Sequence, residues 1–198
     1  MDPRLSETET AFRDLVRREA SSIGVAADDI DQGVTTAASA IGRLATANIL
    51  GICAPETHGG GGGGPVELAL ASEEVGAVSA SVGVVAIGHM VSSFLLDILG
   101  SPTQRQKWLP GAVEGSTLLA LVLDCGDSLL KSPSCAVGGK METDSLYLDG
   151  RARAVTGSTL ADFLIVPVEV GDTLLLAVVD AGTDGVTIGI ETGQLGLN

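Results

Sequence analysis

The sequence is short of aromatic residues and of positive charge, and both shortages limit what the chain can be. Phe, Trp and Tyr make up 3% of the 198 residues, so the core has to be built from aliphatic side chains. Only 11 residues are Lys or Arg, against 25 Asp or Glu, which gives a formal net charge of −14. Nucleic acids and anionic membranes bind clustered cations, so neither is an expected partner. An anionic small molecule would need a local basic site on this surface.

Disulfide pairs, long apolar runs and metal-ligand clusters are also missing. Cys53, Cys125 and Cys135 are an odd number without C-x-x-C spacing, which favours a reducing, cytoplasmic location. No apolar run reaches roughly 18 residues without interruption, so no membrane span is predicted. His58 and His89 have no partner at ligand spacing, so no metal site is predicted. We interpret His89 as a buried core or interface residue, because it lies in an apolar helical segment.

Helical patterns fill the first part of the chain. Ser6 is followed three residues later by Glu9, which matches the capping box that begins many helices. Apolar residues at helical spacing follow this signal. Further helices are predicted over residues 34–50, 66–78, 82–99 and 103–109. The helix over 82–99 is apolar enough to be buried, and the last one is expected to end at Pro110.

Six consecutive glycines, residues 59–64, separate two of the helical segments. Glycine loses the most backbone entropy on ordering, so this run forms no regular element. It lacks the Gly-Lys-Ser/Thr ending of a phosphate-binding P-loop and follows no convincing strand. We predict a flexible loop between helices.

The pattern changes to short β-rich runs after Gly115. They cover residues 118–123, 145–148, 163–170, 173–180 and 186–190. Asp149-Gly150 and Gly171-Asp172 are turn signals at the ends of such runs. The sequence therefore predicts an α+β fold of two domains: an all-α domain over residues 1–115, then an antiparallel β-barrel or sandwich domain over residues 116–198.

Several short motifs occur in an order that is typical of one family. Residues 51–60, GICAPETHGG, match the pattern G-x-x-x-P-E-x-x-G-G, and residues 101–110, SPTQRQKWLP, are similar to G-T-x-x-Q-K-x-x-x-L-P. Residues 147–150, YLDG, are similar to Y-x-L-N-G, and residues 155–156 to the last two letters of W-I-T. In this order, over about residues 5 to 197, the chain resembles the acyl-CoA dehydrogenase family.

The resemblance implies an FAD enzyme that removes two hydrogens from the α and β carbons of an acyl-CoA thioester. In the family a carboxylate base takes the α proton, and the flavin N5 accepts the β hydride. By resemblance the cofactor-binding positions are Leu123, Asp124, Ser128, Ala154, Val155 and Thr156. The substrate-binding positions implied in the same way are Met90 and Val91.

The sequence departs from the family pattern at the cofactor. Asp124 stands at a threonine position, and an ionised carboxylate offers the flavin oxygens no hydrogen-bond donor. Ala154 stands at the position of an aromatic ring that buries roughly 150–250 Å². The glutamate base of the family belongs to a C-terminal helical domain, and no residue up to Asn198 matches it. We therefore expect a scaffold with eroded flavin contacts, and we assign no catalytic residue.

Three functions stay open. The first is a partial or split FAD-linked acyl-CoA dehydrogenase, inactive alone, whose base comes from a full-length or complementary dehydrogenase subunit. The second is a degenerate, non-catalytic partner subunit, and the third is an acyl-CoA binding module without redox chemistry. Arg151 and Arg153 alternate after a turn signal and form either a solvated face or a local anion site. We also expect exposed apolar surface where the family's C-terminal domain packs, in particular along residues 82–99.

Overall fold

The computed structural model describes residues 4–32, 34–123, 137–143, 145–153 and 155–189. Its helices are α1 (Glu7–Ile23), α2 (Ala27–Asp31), α3 (Ala38–Thr46), α4 (Pro65–Gly76), α5 (Ala80–Leu99) and α6 (Pro102–Glu114). Its strands are β1 (Leu119–Leu121), β2 (Val137–Glu142), β3 (Ser145–Gly150), β4 (Phe163–Val170) and β5 (Thr173–Asp180). Helices therefore precede strands, and the predicted α+β class is confirmed.

Local capping sequences set where α1 and α6 begin. The Ser6 hydroxyl accepts a hydrogen bond from the backbone N–H of Glu9 at 3.2 Å, and the Glu9 carboxylate accepts one from the Ser6 N–H at 2.6 Å. This is the predicted capping box. Ser101 and Gln104 exchange the same pair of bonds at the start of α6. Both pairs satisfy N–H groups that the first turn of a helix leaves without partners.

Helix α6 is longer than the sequence predicted. It was expected to end at Pro110, but it continues to Glu114. Its buried inner face is formed by Leu109, Ala112 and Val113. Burial of these side chains outweighs the one helical hydrogen bond that a proline cannot donate. The helix ends at Gly115, whose φ of 71° is left-handed and favours glycine.

The glycine run is an ordered loop rather than the flexible one that we predicted. The N–H groups of residues 60–63 donate hydrogen bonds of 2.7 to 3.1 Å to carbonyl oxygens within residues 51–55. Gly59 and Gly62 have φ angles of 85° and 63°, which other residues rarely adopt. A Cβ atom at Gly60 would overlap the carbonyl oxygen of Ala54. The glycines are thus required because the loop runs in backbone contact with the segment that precedes it.

The strands form one mixed sheet, which corrects the prediction of an antiparallel domain. The central strand β4 pairs antiparallel with β5 and parallel with β1 and β2, while β2 pairs antiparallel with β3. Only strands joined by tight turns are antiparallel here, because longer connections bring β1 and β2 alongside β4 in the same direction. The two-residue turn Gly171-Asp172 joins β4 and β5 as predicted.

Two other β predictions were wrong. Asp149 and Gly150 belong to strand β3 rather than to a turn, because both pair with residues of β2. Residues 186–189, which the sequence favoured as a strand, have no regular secondary structure. This segment instead lies beside the sheet, where it lines a cavity.

Three apolar clusters hold the elements together. The largest lies among the helices, and its most buried large members include Ile30, Ile41, Leu44, Leu50 and Met90. The second joins the sheet to α5 and α6, and includes the rings of Trp108 and Phe163, whose centroids are 5.7 Å apart. The third lies on one face of β4 and is centred on Val122, Val166 and Val168. The sheet is therefore fixed to the helical part through α5 and α6.

Helix α5 is the central element of this arrangement. By length and composition alone it is the one helix within the described ranges that would be able to cross a bilayer. It contacts α4, α6 and β1, and its buried residues include the polar Ser81, His89, Ser92 and Ser93. A buried core helix has the same length and apolar content as a membrane span. The contacts of α5 are those of a core helix, as the sequence predicted.

Candidate functional site

His89 lies where α5, α6 and β1 meet. Its side chain is 0% exposed, its Nε2 contacts the carbonyl oxygen of Ala112 at 3.0 Å, and its Nδ1 accepts a hydrogen bond from the N–H of Leu119 at 3.1 Å. A backbone N–H only donates and a carbonyl only accepts, so both bonds require the neutral ring with its hydrogen on Nε2. Burial lowers the pKa of His89 to about 4, against a smaller opposing effect of the bond to Ala112. His89 is thus a satisfied core residue, as predicted.

Strand β1 is fixed at both of its ends. Before it, the N–H of Leu118 donates to the carboxylate of Asp162 at 2.7 Å, and the N–H of Asp162 donates back to the carbonyl of Leu118 at 2.8 Å. After it, the N–H of Val122 donates to the carbonyl of Ile165 at 2.9 Å. These bonds fix the path of the chain from the helices to Val122, which belongs to the third apolar cluster.

The segment after β3 turns back against α5. The N–H of Ser158 donates to the carbonyl of Val155 at 3.2 Å, which closes the turn. Gly157 has a φ of 75°, and a Cβ atom there would lie 3.3 Å from the side chain of Val85. Glycine at this position therefore lets the turn approach the helix closely. As a result residues 155–158 lie at the junction between α5 and the sheet.

A cavity of about 360 Å³ lies between the sheet, this turn and residues 185–189. Its apolar walls include Val122, Leu148, Val155, Leu164, Val166 and Val179. The polar side chains that line it include Asp149, Arg151, Arg153 and Ser158. Its volume is within the range of small-molecule sites, which hold ligands on apolar walls with a few polar groups.

A family model gives the chain its place among known proteins. The model for the N-terminal domain of acyl-CoA dehydrogenases matches residues 6–116. The chain belongs to the acyl-CoA dehydrogenase family. The acyl-CoA dehydrogenase of Bacillus subtilis is 27% identical over 191 residues, which are 93% of this chain and 50% of the relative. The cyclohex-1-ene-1-carbonyl-CoA dehydrogenase of Syntrophus aciditrophicus is 27% identical over 203 residues, which are 98% of this chain and 48% of the relative.

Solved acyl-CoA dehydrogenases share the fold. The butyryl-CoA dehydrogenase of Megasphaera elsdenii superposes with a TM-score of 0.80 at 22% identity, over 93% of this chain and 51% of its own. An acyl-CoA dehydrogenase of Bacillus anthracis, solved in complex with FAD, gives a TM-score of 0.86 at 20% identity, over 98% of this chain and 35% of its own. The chain spans about half the length, or less, of the acyl-CoA dehydrogenases that it matches.

Three of the six cofactor positions predicted from the acyl-CoA dehydrogenase resemblance lie within the described residues. Val155 is half-buried and lines the cavity, and Thr156 next to it is exposed. Leu123 is 74% exposed and directly follows Val122, which lines the same cavity. Val155 and the chain neighbour of Leu123 therefore line one cavity, whereas Leu123 and Thr156 are not among its lining residues. Asp124, Ser128 and Ala154 lie outside the described residues.

The two substrate positions implied by the family differ in exposure. Met90 is 1% exposed, belongs to the helical core and is not among the residues that line the cavity. Val91 is half-buried. Adjacent helix residues point about 100° apart, so one of the pair faces the core while the other reaches its edge. Both substrate positions stay predictions, and Val91 is the more exposed of the two.

Other reactive groups contribute little to this site. In the part of the chain that the structure describes, no three His, Cys, Asp or Glu side chains are grouped to hold a metal ion. Cys53 is buried, and burial, with a smaller contribution from Glu67, raises the pKa of its thiol to about 11. A thiol with so high a pKa is a poor nucleophile.

The sequence did not identify the segment that closes the cavity. Residues 185–189 were expected to form a strand, yet Gly185, Val186 and Ile188 line the cavity without regular structure. No local pattern could have revealed this, because the segment meets Val122 and Val155 only after the sheet has formed.

Proposed function

We propose that this chain forms the helical and β parts of an FAD-dependent acyl-CoA dehydrogenase, with residues 1–115 as the helical domain and residues 116–198 as the β domain. The observation that carries the proposal is that Val122 and Val155 line one cavity, because they adjoin the two segments at which the family resemblance predicts the cofactor. Membership of the family supports it. So does the shared fold of the Bacillus anthracis enzyme, which was solved with FAD.

The described residues around this cavity fit a flavin. Apolar walls at Val122 and Val155 suit the face of a flat ring system, and water is displaced from them when the ring binds. Thr156 carries a hydroxyl that can donate a hydrogen bond to the ring edge. Leu123 supplies exposed apolar surface beside it. FAD would supply the acceptor for the hydride that leaves the β carbon of an acyl-CoA thioester.

The remaining described residues position these groups. His89 fixes the start of β1 to α5 through Leu119, so the strand reaches the cavity in a defined register. Gly157 allows the turn that carries Val155 and Thr156 to rest on α5. Val91, on the same helix, is the proposed contact for the acyl chain. Replacement of any of these positioning residues would shift the side chains that line the proposed cofactor site, but it would not remove a group that takes part in the reaction.

The base that removes the α proton is not assigned to any of these 198 residues. We propose that a helical domain outside these 198 residues supplies it, whether on the same polypeptide or on a full-length or complementary dehydrogenase subunit, and that residues 1–198 by themselves do not turn over. Loss of a general base typically lowers the rate by about 100-fold to 10,000-fold. The last two turns of α5 expose Phe94, Ile98 and Leu99, which are 39%, 52% and 63% exposed. Exposed large apolar side chains on one helix end are typical of a surface that contacts another polypeptide.

Flavin titration and a turnover assay test this proposal. The purified chain is titrated with FAD while flavin fluorescence and visible absorbance are recorded, and is then supplied with acyl-CoA and an artificial electron acceptor. We expect saturable FAD binding, no turnover by the chain alone, and turnover after a complementary dehydrogenase subunit is added. Failure to bind FAD would contradict the flavoenzyme proposal, and turnover by the chain alone would contradict the partial-subunit proposal.

A non-catalytic partner subunit is the second candidate. It is favoured by Asp124 and Ala154, which replace the hydrogen-bonding and aromatic residues that the family uses at the flavin. Calorimetric titration with FAD and with an acyl-CoA separates the candidates. Binding of neither ligand, together with a stable complex with a full-length dehydrogenase, would favour the non-catalytic subunit. Binding of acyl-CoA without FAD would favour a simple acyl-CoA binding module.

A further inference from the structure

Two arginines are among the residues that line the cavity. Arg151 and Arg153 are both exposed, whereas Val166, which lines the interior, is 5% exposed. The residue between them, Ala152, is half-buried and packs against the apolar cluster under β4. Exposure thus alternates along this segment, as it does when successive side chains point to opposite sides of an extended chain. Both guanidinium groups therefore lie on the same, solvent-facing side of the segment.

This pair gives the cavity a charge opposite to that of the whole molecule. The chain has a formal net charge of −14, with 11 Lys or Arg in 198 residues. Among the described residues that line the cavity, two of these 11 cations and one carboxylate, that of Asp149, carry formal charge. An anion that approaches the protein is repelled by most of the surface and attracted here. A cavity with apolar walls and a cationic opening suits a ligand with an apolar ring and an anionic end.

We propose that Arg151 and Arg153 bind the phosphate groups of the flavin cofactor while its ring lies against Val122 and Val155. This inference rests on the proposed function, because it concerns the same cofactor. It names the residues that bind the phosphate groups, which the apolar side chains of the cavity cannot bind. A guanidinium group presents a planar fork of donors that matches phosphate oxygens and stays charged at every physiological pH. The arginines thus supply affinity at a site where the family's contacts to the ring are reduced.

The test compares ligands that share the ring but differ in phosphate. FAD, FMN and riboflavin are titrated separately into the wild-type chain and into an Arg151→Gln/Arg153→Gln double variant, with flavin fluorescence as the readout. We expect wild type to bind FAD and FMN roughly 10-fold to 100-fold more tightly than riboflavin, the size of a charge-assisted hydrogen bond. In the double variant this preference should disappear while the affinity for riboflavin stays unchanged, which also shows that the cavity is intact.

Two matched variants complete the design. Arg18→Gln/Arg43→Gln removes the same amount of charge from helices α1 and α3, and it should leave the preference for FMN over riboflavin as in wild type. Arg151→Lys/Arg153→Lys keeps the charge but not the fork, and it should retain an intermediate preference. The wild-type preference should also decrease with added salt, because it is electrostatic.

The outcomes separate this inference from the proposed function. If wild type binds all three flavins and the Gln double variant keeps the full preference for FMN, the arginines do not bind the phosphates and the inference is overturned. The same holds if the double variant loses affinity for free coenzyme A but not for FMN, because the arginines would then serve another phosphate ligand. If wild type binds none of the flavins, the proposed function fails and this inference fails with it.

Discussion

Acidification should destabilise this protein through one buried side chain, His89. Its neutral ring bonds both Ala112 and Leu119, and a proton added at Nδ1 would face the N–H of Leu119. Burial lowers the pKa of His89 to about 4 in the folded protein, from the ordinary value of 6.5 for a solvated histidine. The unfolded chain therefore binds more protons between these two pH values. The stabilisation is fully present above about pH 6.5 and is lost as the pH falls towards about 4.

The size of the effect follows from the two pKa values. At about pH 4.5 the difference in proton binding removes on the order of 2 kcal/mol from the free energy of unfolding, relative to neutral pH. A His89→Gln variant lacks this titration. The glutamine amide can still donate to the carbonyl of Ala112 but leaves the N–H of Leu119 without an acceptor, which costs about 1–3 kcal/mol at neutral pH. Wild type should thus be the more stable protein at neutral pH and should lose that advantage in acid.

Urea denaturation followed by circular dichroism measures this difference. Wild type, His89→Gln and a control variant, His58→Gln, are unfolded at about pH 7.5 and about pH 4.5. Carboxylates such as Glu9 and Glu74, whose pKa values are lowered by hydrogen bonds to Ser6 and Arg17, also weaken the fold in acid, but they do so equally in all three proteins. A stability gap between wild type and His89→Gln that stays constant with pH would refute the assignment, whereas His58→Gln should follow wild type.

Three further outcomes can be checked on the same protein. Gly115→Ala should lower the free energy of unfolding, measured by thermal melts, by at least about 1 kcal/mol, because Gly115 has a left-handed φ of 71°. The control Gly42→Ala, in helix α3 with open space around the added Cβ atom, should be neutral or stabilising. A double-mutant cycle on the ion pair of Arg17 and Glu74, whose Nη2 and Oε1 atoms are 2.6 Å apart, should give a small favourable coupling that decreases in high salt, because the pair is exposed to solvent. Cys53 should resist alkylation in the native protein at about pH 8 and react in urea, as followed by peptide mass spectrometry; rapid native labelling would contradict its burial.

Local signals were sufficient to predict most of the helical part. The Ser6 capping box, the proline that begins α4 and the apolar length of α5 all act within a few residues of where they occur. Such signals fail where burial competes with them. Pro110 would end an isolated helix, but the side chains that follow it are buried and the helix continues.

The sheet was less predictable, because strand direction depends on which segments meet and not on the segments themselves. The turn between β4 and β5 was visible as Gly171-Asp172, and those strands are antiparallel. Nothing in residues 118–123 indicated that β1 would pair parallel with the first residues of the later strand β4. The run 186–190 matches a strand pattern, yet its described part, residues 186–189, has no regular structure and lines a cavity.

The sequence by itself determined the family, the order of helices and strands, and the acidic, aromatic-poor character of the chain, because composition and short motifs are properties of neighbouring residues. Only the tertiary structure decided that the sheet is mixed, that Met90 is sealed in the core, and that Val122, Val155 and two arginines share a cavity. It also decided which backbone groups His89 bonds, because these two partners are 23 and 30 residues away along the chain. Contacts over such distances arise from packing of whole elements, which no local pattern encodes.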